Sequence, residues 1–313
     1  MTDQKGNRLP YIASAASAVI FGFSFLFTKA ALDNLDMFQL LGSRFLVAAV
    51  LMSVLKTLKL IEIKITPAKV RSLLLVAIFQ PVLYFIFETI GVDLTSASES
   101  GVLIALIPVA VAVFASPMLK ERLSLLQWLS IFASVGGVIL ITLPRFQAGS
   151  GQFAGILALL GAVLAGALYQ IFSRKASSRS SDPSTPVEVT YLMMWAGAVF
   201  FNILGILRYA QAANLSCYFA AFTSVETLTA ILYLGILSSV AAFFCMNYAL
   251  SYLTASKSAV FINLTPVVSV LAGVLFRDER FAPIQILGAA IVLLGVWGVG
   301  RPASSEGKSP ASH

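Results

Sequence analysis

The segment ASESGVLIALIPV at 97–109 returns 158 residues later as ASKSAVFINLTPV at 255–267. Further along, Glu121-Arg122, Gln127 and Gly137-Val138 overlay Glu279-Arg280, Gln285 and Gly295-Val296 at the same offset. A match that persists over this length is an internal repeat, so one structural unit is written twice in the chain.

Composition says what kind of unit it is. Of 313 residues, 58% are hydrophobic and 11% charged, against about 25% charge in a typical soluble domain. Apolar stretches of about 20 residues, long enough to cross a hydrocarbon core, recur from end to end. They place helices near 11–32, 38–58, 70–92, 97–119, 124–143, 153–173, 187–207, 226–249, 256–276 and 281–300. Thr66-Pro67, Pro144-Arg145, Gly149-Ser150-Gly151 and the polar run Ser177 to Pro186 punctuate them. The fold class is therefore an all-α integral membrane protein of ten transmembrane helices. An odd number of spans, five, separates equivalent points of the repeat, so the second copy enters the membrane upside down. Residues 1–145 are expected to form the first inverted repeat (helices 1 to 5), and residues 146–313 the second (helices 6 to 10) with a short polar tail. Inverted repeats mark secondary transporters, whose substrate sites lie near the midplane between the halves.

The net charge of +7 does not point to nucleic acid, because the basic residues sit in short segments between apolar runs. With both termini cytoplasmic, 15 of the 21 Lys and Arg fall on the inner side. Lys29, Arg44, Arg145, Arg208, Arg277 and Arg280 fall on the outer side, so the positive-inside bias selects this orientation. Cys217 falls in the connection before the eighth helix, on the outer side, and Cys245 within that helix. Two cysteines and a single histidine, His313 in the tail, supply neither a disulfide framework nor a metal site.

The same residues carry a family resemblance. Ser96-Ala97-Ser98, the mid-helix Pro108, the helix-end Glu121-Arg122 and Gly136-Gly137 resemble the EamA branch of the drug/metabolite transporter superfamily. Tyr248 to Ser256, Pro266 and Glu279-Arg280 fit the second copy of that domain, so the resemblance runs over roughly residues 11–300. It implies ten helices, cytoplasmic termini, a multi-pass location in the plasma (inner) membrane, a central cavity opening alternately to either side, and export of small metabolites or drugs. One departure stands out: Ile90-Gly91-Val92-Asp93-Leu94 replaces the Tyr248-Ala249-Leu250-Ser251-Tyr252 of the second copy.

A charge at the bilayer centre costs at least about 2.5 kcal/mol, so ionisable residues inside spans are functional candidates. Glu88 leads. Gln80, Tyr84 and Glu88 recur at helical spacing on the third helix and form one polar stripe on an apolar rod. The stripe faces a cavity, or else Glu88 pairs with Arg44 or reaches the outer interface. Pro81 beside it removes a helical donor. Glu99 reads either as the acid of a Ser96-Ala97-Ser98-Glu99 capping box or as a cavity carboxyl. Its repeat equivalent is Lys257, and that of Glu88 is Met246; symmetric positions build scaffold, so departures from symmetry are where chemistry is expected. Arg44 and Lys29 either pair with acids or snorkel. Tyr169, Asn247 and Asn263 are polar groups inside spans, as ready to pack helices as to touch a ligand. Pro108 and Pro266 occupy equivalent mid-helix points and are the hinge candidates. Glu121-Arg122 and Glu279-Arg280 read as interfacial caps or ion pairs.

These features favour a secondary active transporter, a proton-linked exporter of a small-molecule substrate working in the lipid bilayer as monomer or homodimer. An importer or exchanger of the same fold, or a passive channel or scramblase, shares the same cavity chemistry. An intramembrane enzyme lacks its parts: the chain has no intramembrane His, no H-E-x-x-H and no G-x-S-x-G, and with no P-loop or nucleotide-binding domain nothing points to a soluble ATPase partner. No cofactor or metal is expected.

Overall fold

The computed structural model describes residues 8–119, 124–148, 150–179, 184–211, 218, 222, 224–252, 264–280 and 282–299. They form ten helical rods. The first half holds α1 (Leu9–Leu32), α2 (Met37–Thr57), α3 (Pro67–Ala77, Ile78–Leu83 and Tyr84–Leu94 in sequence), α4 (Ala97–Ile104 and Ile107–Leu119) and α5 (Leu125–Ala148). The second holds α6 (Ser150–Arg179), α7 (Pro186–Gln211), α8 (Val225–Leu232, Tyr233–Ala242 and Phe243–Tyr252), α9 (Leu264–Arg277) and α10 (Pro283–Val299). Eight are long and apolar enough to cross a membrane; α9 and α10 are shorter apolar helices. Leu125, Phe132, Leu275, Phe276 and Leu294 are each more than 60% exposed, an apolar outer surface that suits lipid and would not suit water.

Several rods start where the sequence provides a cap. Asp36 accepts from the backbone N–H groups of Phe38 and Gln39, and the Gln39 side chain accepts from the Asp36 N–H in return. Thr66, Ser96 and Ser224 cap α3, α4 and α8 through their hydroxyls. Such caps satisfy backbone donors that a helix cannot use itself.

The two halves meet as inverted copies. Gln127 Nε2 donates to the Val299 carbonyl at 3.2 Å, and Gln285 Nε2 donates to the Ile141 carbonyl at 3.2 Å. Each partner of one bond lies 158 residues from its counterpart in the other. The same glutamines close their own helix starts, accepting from the N–H of Ser124 and of Ala282. Between α5 and α10 the backbones nearly touch: a Cβ on Gly137 would lie 2.6 Å from the Gly288 carbonyl, and one on Gly295 would lie 2.6 Å from that of Ser130. These two close approaches are again repeat equivalents, and only glycine permits them.

Polar contacts fasten the two faces of the bundle. On the face where α1 ends, Lys29 donates to the carbonyls of Val92 and Asp93, capping the C-terminus of α3. Arg277 pairs with Asp33 at 3.0 Å. The Glu279 carboxylate accepts from the N–H groups of Ala97 and Ser98 at 2.9 and 3.0 Å, so the connection after α9 caps the start of α4. On the opposite face, Glu188 at the start of α7 accepts from Thr185 N, Lys64 N and Lys69 Nζ, the last at 2.8 Å.

Candidate functional site

The site grows from a glycine. At Gly235 a Cβ would lie 3.0 Å from the Arg44 carbonyl and 2.8 Å from Val47, so α8 can approach the middle of α2 closely. In this stretch, Tyr233–Ala242, α8 is wound as a π-helix. Wide turns of this kind recur at functional sites, because the extra residue per turn re-aims side chains. Here Ser238 and Ser239, neighbours in sequence, both reach Arg44: Nε donates to the Ser239 hydroxyl at 2.9 Å and Nη2 to that of Ser238 at 3.0 Å. The guanidinium carbon also lies 4.5 Å from the centroid of the Phe85 ring and 5.7 Å from that of Phe45. Arg44 is 2% exposed; it does not snorkel.

The same irregularity appears at the equivalent point of the first half. α3 is π-wound over Ile78–Leu83, and Gln80 within it departs from helical torsion angles (φ −147°, ψ 117°). Pro81 has no N–H to give to the preceding turn, which accounts for the break. The stripe anticipated on a regular helix is thereby altered: Gln80 is buried but is itself the break, so it is out of helical register with Tyr84 and Glu88. Tyr84 packs edge-on to Phe85 at 4.9 Å and sits between two apolar clusters. Glu88 is 3% exposed and accepts from the Thr89 hydroxyl at 3.3 Å.

Arg44 and Glu88 lie close enough for each to act on the other, and among the described residues Tyr84 is the other titratable group within reach of both. Their charged atoms nevertheless stay beyond the 4.0 Å of an ion pair, and the hydrogen bonds of Arg44 go to the two serines. Magnitudes explain the choice. A hydrogen bond from a charged donor contributes about 1.5–3 kcal/mol, and a desolvated cation–π contact about 2 kcal/mol. Closing the ions to 4 Å at an effective dielectric of 20 would gain on the order of 4 kcal/mol. Two serine bonds and a ring together are at least as strong as that pull. The result is a buried base and acid held apart between α2 and α3 of one half and α8 of the other.

The remaining sequence candidates are dispersed. Glu99 is buried at the start of α4, where its N–H is capped by Ser96 and its Oε1 accepts from Gln285 Nε2 at 2.7 Å. That bond links α4 to α10. Tyr169 of α6 is buried in the apolar cluster that also holds Phe45 and Phe85. Pro108 follows a break in α4 at Ala105-Leu106, while Pro266 is buried near the start of the described part of α9. Asn263 and the side chain of Asn247 lie outside the described residues, as do Glu121, Arg122, Cys217 and Lys257. Ser238 and Ser239 escaped the sequence reading. A signal was present, because the repeat register places them opposite Gln80 and Pro81.

The profile of the EamA-like transporter family matches residues 8–143 and 153–301. The uncharacterized transporter YcxC of Bacillus subtilis is 33% identical over 301 residues, covering 96% of this chain and 95% of that protein. An uncharacterized transporter of Archaeoglobus fulgidus is 26% identical over 293 residues, with 93% and 98% covered. A protein of Streptantibioticus cattleyicolor named "Probable terminal-alkyne amino-acid exporter" is 28% identical over 205 residues, with 66% and 64% covered. A solved crystal structure superposes with a TM-score of 0.64 over 93% of this chain and 96% of its own, at 16% identity, a likeness of fold.

Proposed function

The chain belongs to the EamA-like transporter family and is a multi-pass membrane transporter, not an enzyme; from that premise we propose that it is a proton-linked exporter of a small metabolite, working by alternating access through a central cavity. The observation that carries this reading is the separated Arg44–Glu88 dyad. Glu88, with no acidic counterpart in the second half, is the group that takes up and releases the proton. Arg44 is the contact for an anionic group of the substrate, since a guanidinium has donors beyond the two given to the serines. A substrate bearing both an ammonium and a carboxylate group would meet both charges, and the relative named as an amino-acid exporter favours that class and the outward direction. The face on which α1 begins is the cytoplasmic one, in keeping with the distribution of Lys and Arg. On this reading the protein works in the plasma membrane with both termini inside, as monomer or homodimer.

Counterflow of radiolabelled amino acids in proteoliposomes tests the proposal. At least one amino acid preloaded inside should accelerate uptake of its labelled form, and an imposed pH gradient should drive its accumulation. Flux that neither saturates nor shows counterflow would make the protein a passive channel or scramblase. Accumulation indifferent to the gradient would remove the proton from the mechanism.

A further inference from the structure

We propose that Ser238 and Ser239 are positioning residues that keep Arg44 from collapsing onto Glu88, and so leave the Glu88 carboxyl able to exchange its proton. The inference rests on the reading of Glu88 as the coupling group and adds a device that reading does not contain. A carboxylate in contact with a guanidinium, deep in a low-dielectric interior, holds its anionic form and gives up its role as a proton carrier. Arg44 is close enough to act on Glu88 electrostatically but is anchored elsewhere, by Nε and Nη2 on two adjacent hydroxyls. Among the described residues, the charged and titratable groups that act on Glu88 and Arg44 are each other and Tyr84. The anchoring hydroxyls belong to α8, whereas Arg44 and Glu88 belong to α2 and α3. Movement of one half against the other therefore changes the grip on Arg44, and with it the distance to Glu88. The proton site of one half is set by two serines of the other.

The π-winding of α8 is what lets two neighbouring residues serve one side chain. In an α-helix consecutive side chains diverge by about 100°, and the wider π turn narrows that angle. The equivalent pair in α3, Gln80-Pro81, has no hydroxyl to offer, so the repeat does not duplicate the arrangement there.

Infrared pH titration of the purified full-length protein tests the proposal without any substrate. The difference between wild type and Glu88→Gln isolates the C=O band of the protonated Glu88 carboxyl. In S238A/S239A the released Arg44 should move onto Glu88, and the carboxyl should bind its proton at least tenfold more weakly than in wild type. Each single variant, S238A or S239A, keeps one hydroxyl and should show a smaller change in the same sense, which keeps the test open if the double variant does not fold. Replacement by threonine at either position retains the hydroxyl and should restore wild-type titration. Unchanged proton affinity in the alanine variants would overturn the positioning role while leaving Glu88 as coupling group intact. If instead Glu88→Gln leaves the pH dependence of transport untouched, the underlying reading fails, and the two failures are told apart.

Discussion

Helices α5 and α10 are related to each other by the repeat, and so are α3 and α8, yet the two pairs treat that relation differently. Between α5 and α10 the symmetry reaches individual atoms: the same glutamine-to-carbonyl bond and the same glycine contact occur twice. Between α3 and α8 the symmetry reaches only the backbone. Both are π-wound at equivalent points, but Gln80, Pro81 and Glu88 of one correspond to Ser238, Ser239 and Met246 of the other. Duplicated contacts serve the scaffold, because the same packing problem recurs in each half. Unduplicated side chains on a shared backbone irregularity mark the place where the halves were put to different uses.

The largest effect that can break this comparison is steric. Leucine at Gly137 or at Gly295 would drive its side chain into the facing backbone, and each should cost at least 1–3 kcal/mol, the usual range for overpacking, with an expected value of about 3. Because the two contacts are repeat equivalents, the two losses should agree within about 1 kcal/mol in detergent unfolding. A large effect at one position only would show that the symmetry of the α5–α10 seam is not energetic.

A smaller effect sharpens it. Gln127→Ala and Gln285→Ala remove equivalent carbonyl bonds and equivalent helix-start contacts, worth about 1 kcal/mol per bond. Gln285 also donates to the buried Glu99, so its loss should exceed that of one carbonyl bond by about 1–3 kcal/mol, the usual cost of removing a donor from a buried acceptor. A Gln285→Ala loss of no more than about 1 kcal/mol would mean that the bond to Glu99 contributes nothing to stability.

Much of this was legible in the sequence, and the reason is periodicity. Ten apolar stretches and a fixed offset of 158 residues put most helix ends within a few residues of those in the structure; α6 runs on to Arg179, six residues past the expected end, and the expected start of α9 at 256 lies outside the described residues. Gln127, Gln285, Gly137 and Gly295 could be paired from the overlay before any contact was known. Glu88 and Arg44 stood out because charge is costly in a span. What escaped was whatever depends on a partner far along the chain. Nothing local to Ser238 and Ser239 says that they hold a residue 194 and 195 positions away. Glu279 reads as a cap or an ion-pair partner at its own helix end, and only the fold shows that it caps α4 from across 181–182 residues. Glu188 looks like the acid of a local capping motif, yet it also binds Lys69. The π-winding was invisible because hydrophobic periodicity over one widened turn is indistinguishable from noise in a 20-residue apolar run.

The central claim is that chemistry sits where the repeat is broken, at Glu88. Glu88→Gln has the smallest structural effect of the substitutions considered, since it keeps size and hydrogen bonding, and it should change unfolding by no more than about 1 kcal/mol. Its functional effect is measured by the pH profile of gradient-driven transport in proteoliposomes, with Glu99→Gln alongside. The account predicts that Glu88→Gln transports with a flat pH profile and retains counterflow, while Glu99→Gln keeps the wild-type profile. A wild-type rate and profile in Glu88→Gln would contradict it and make Glu88 a structural residue.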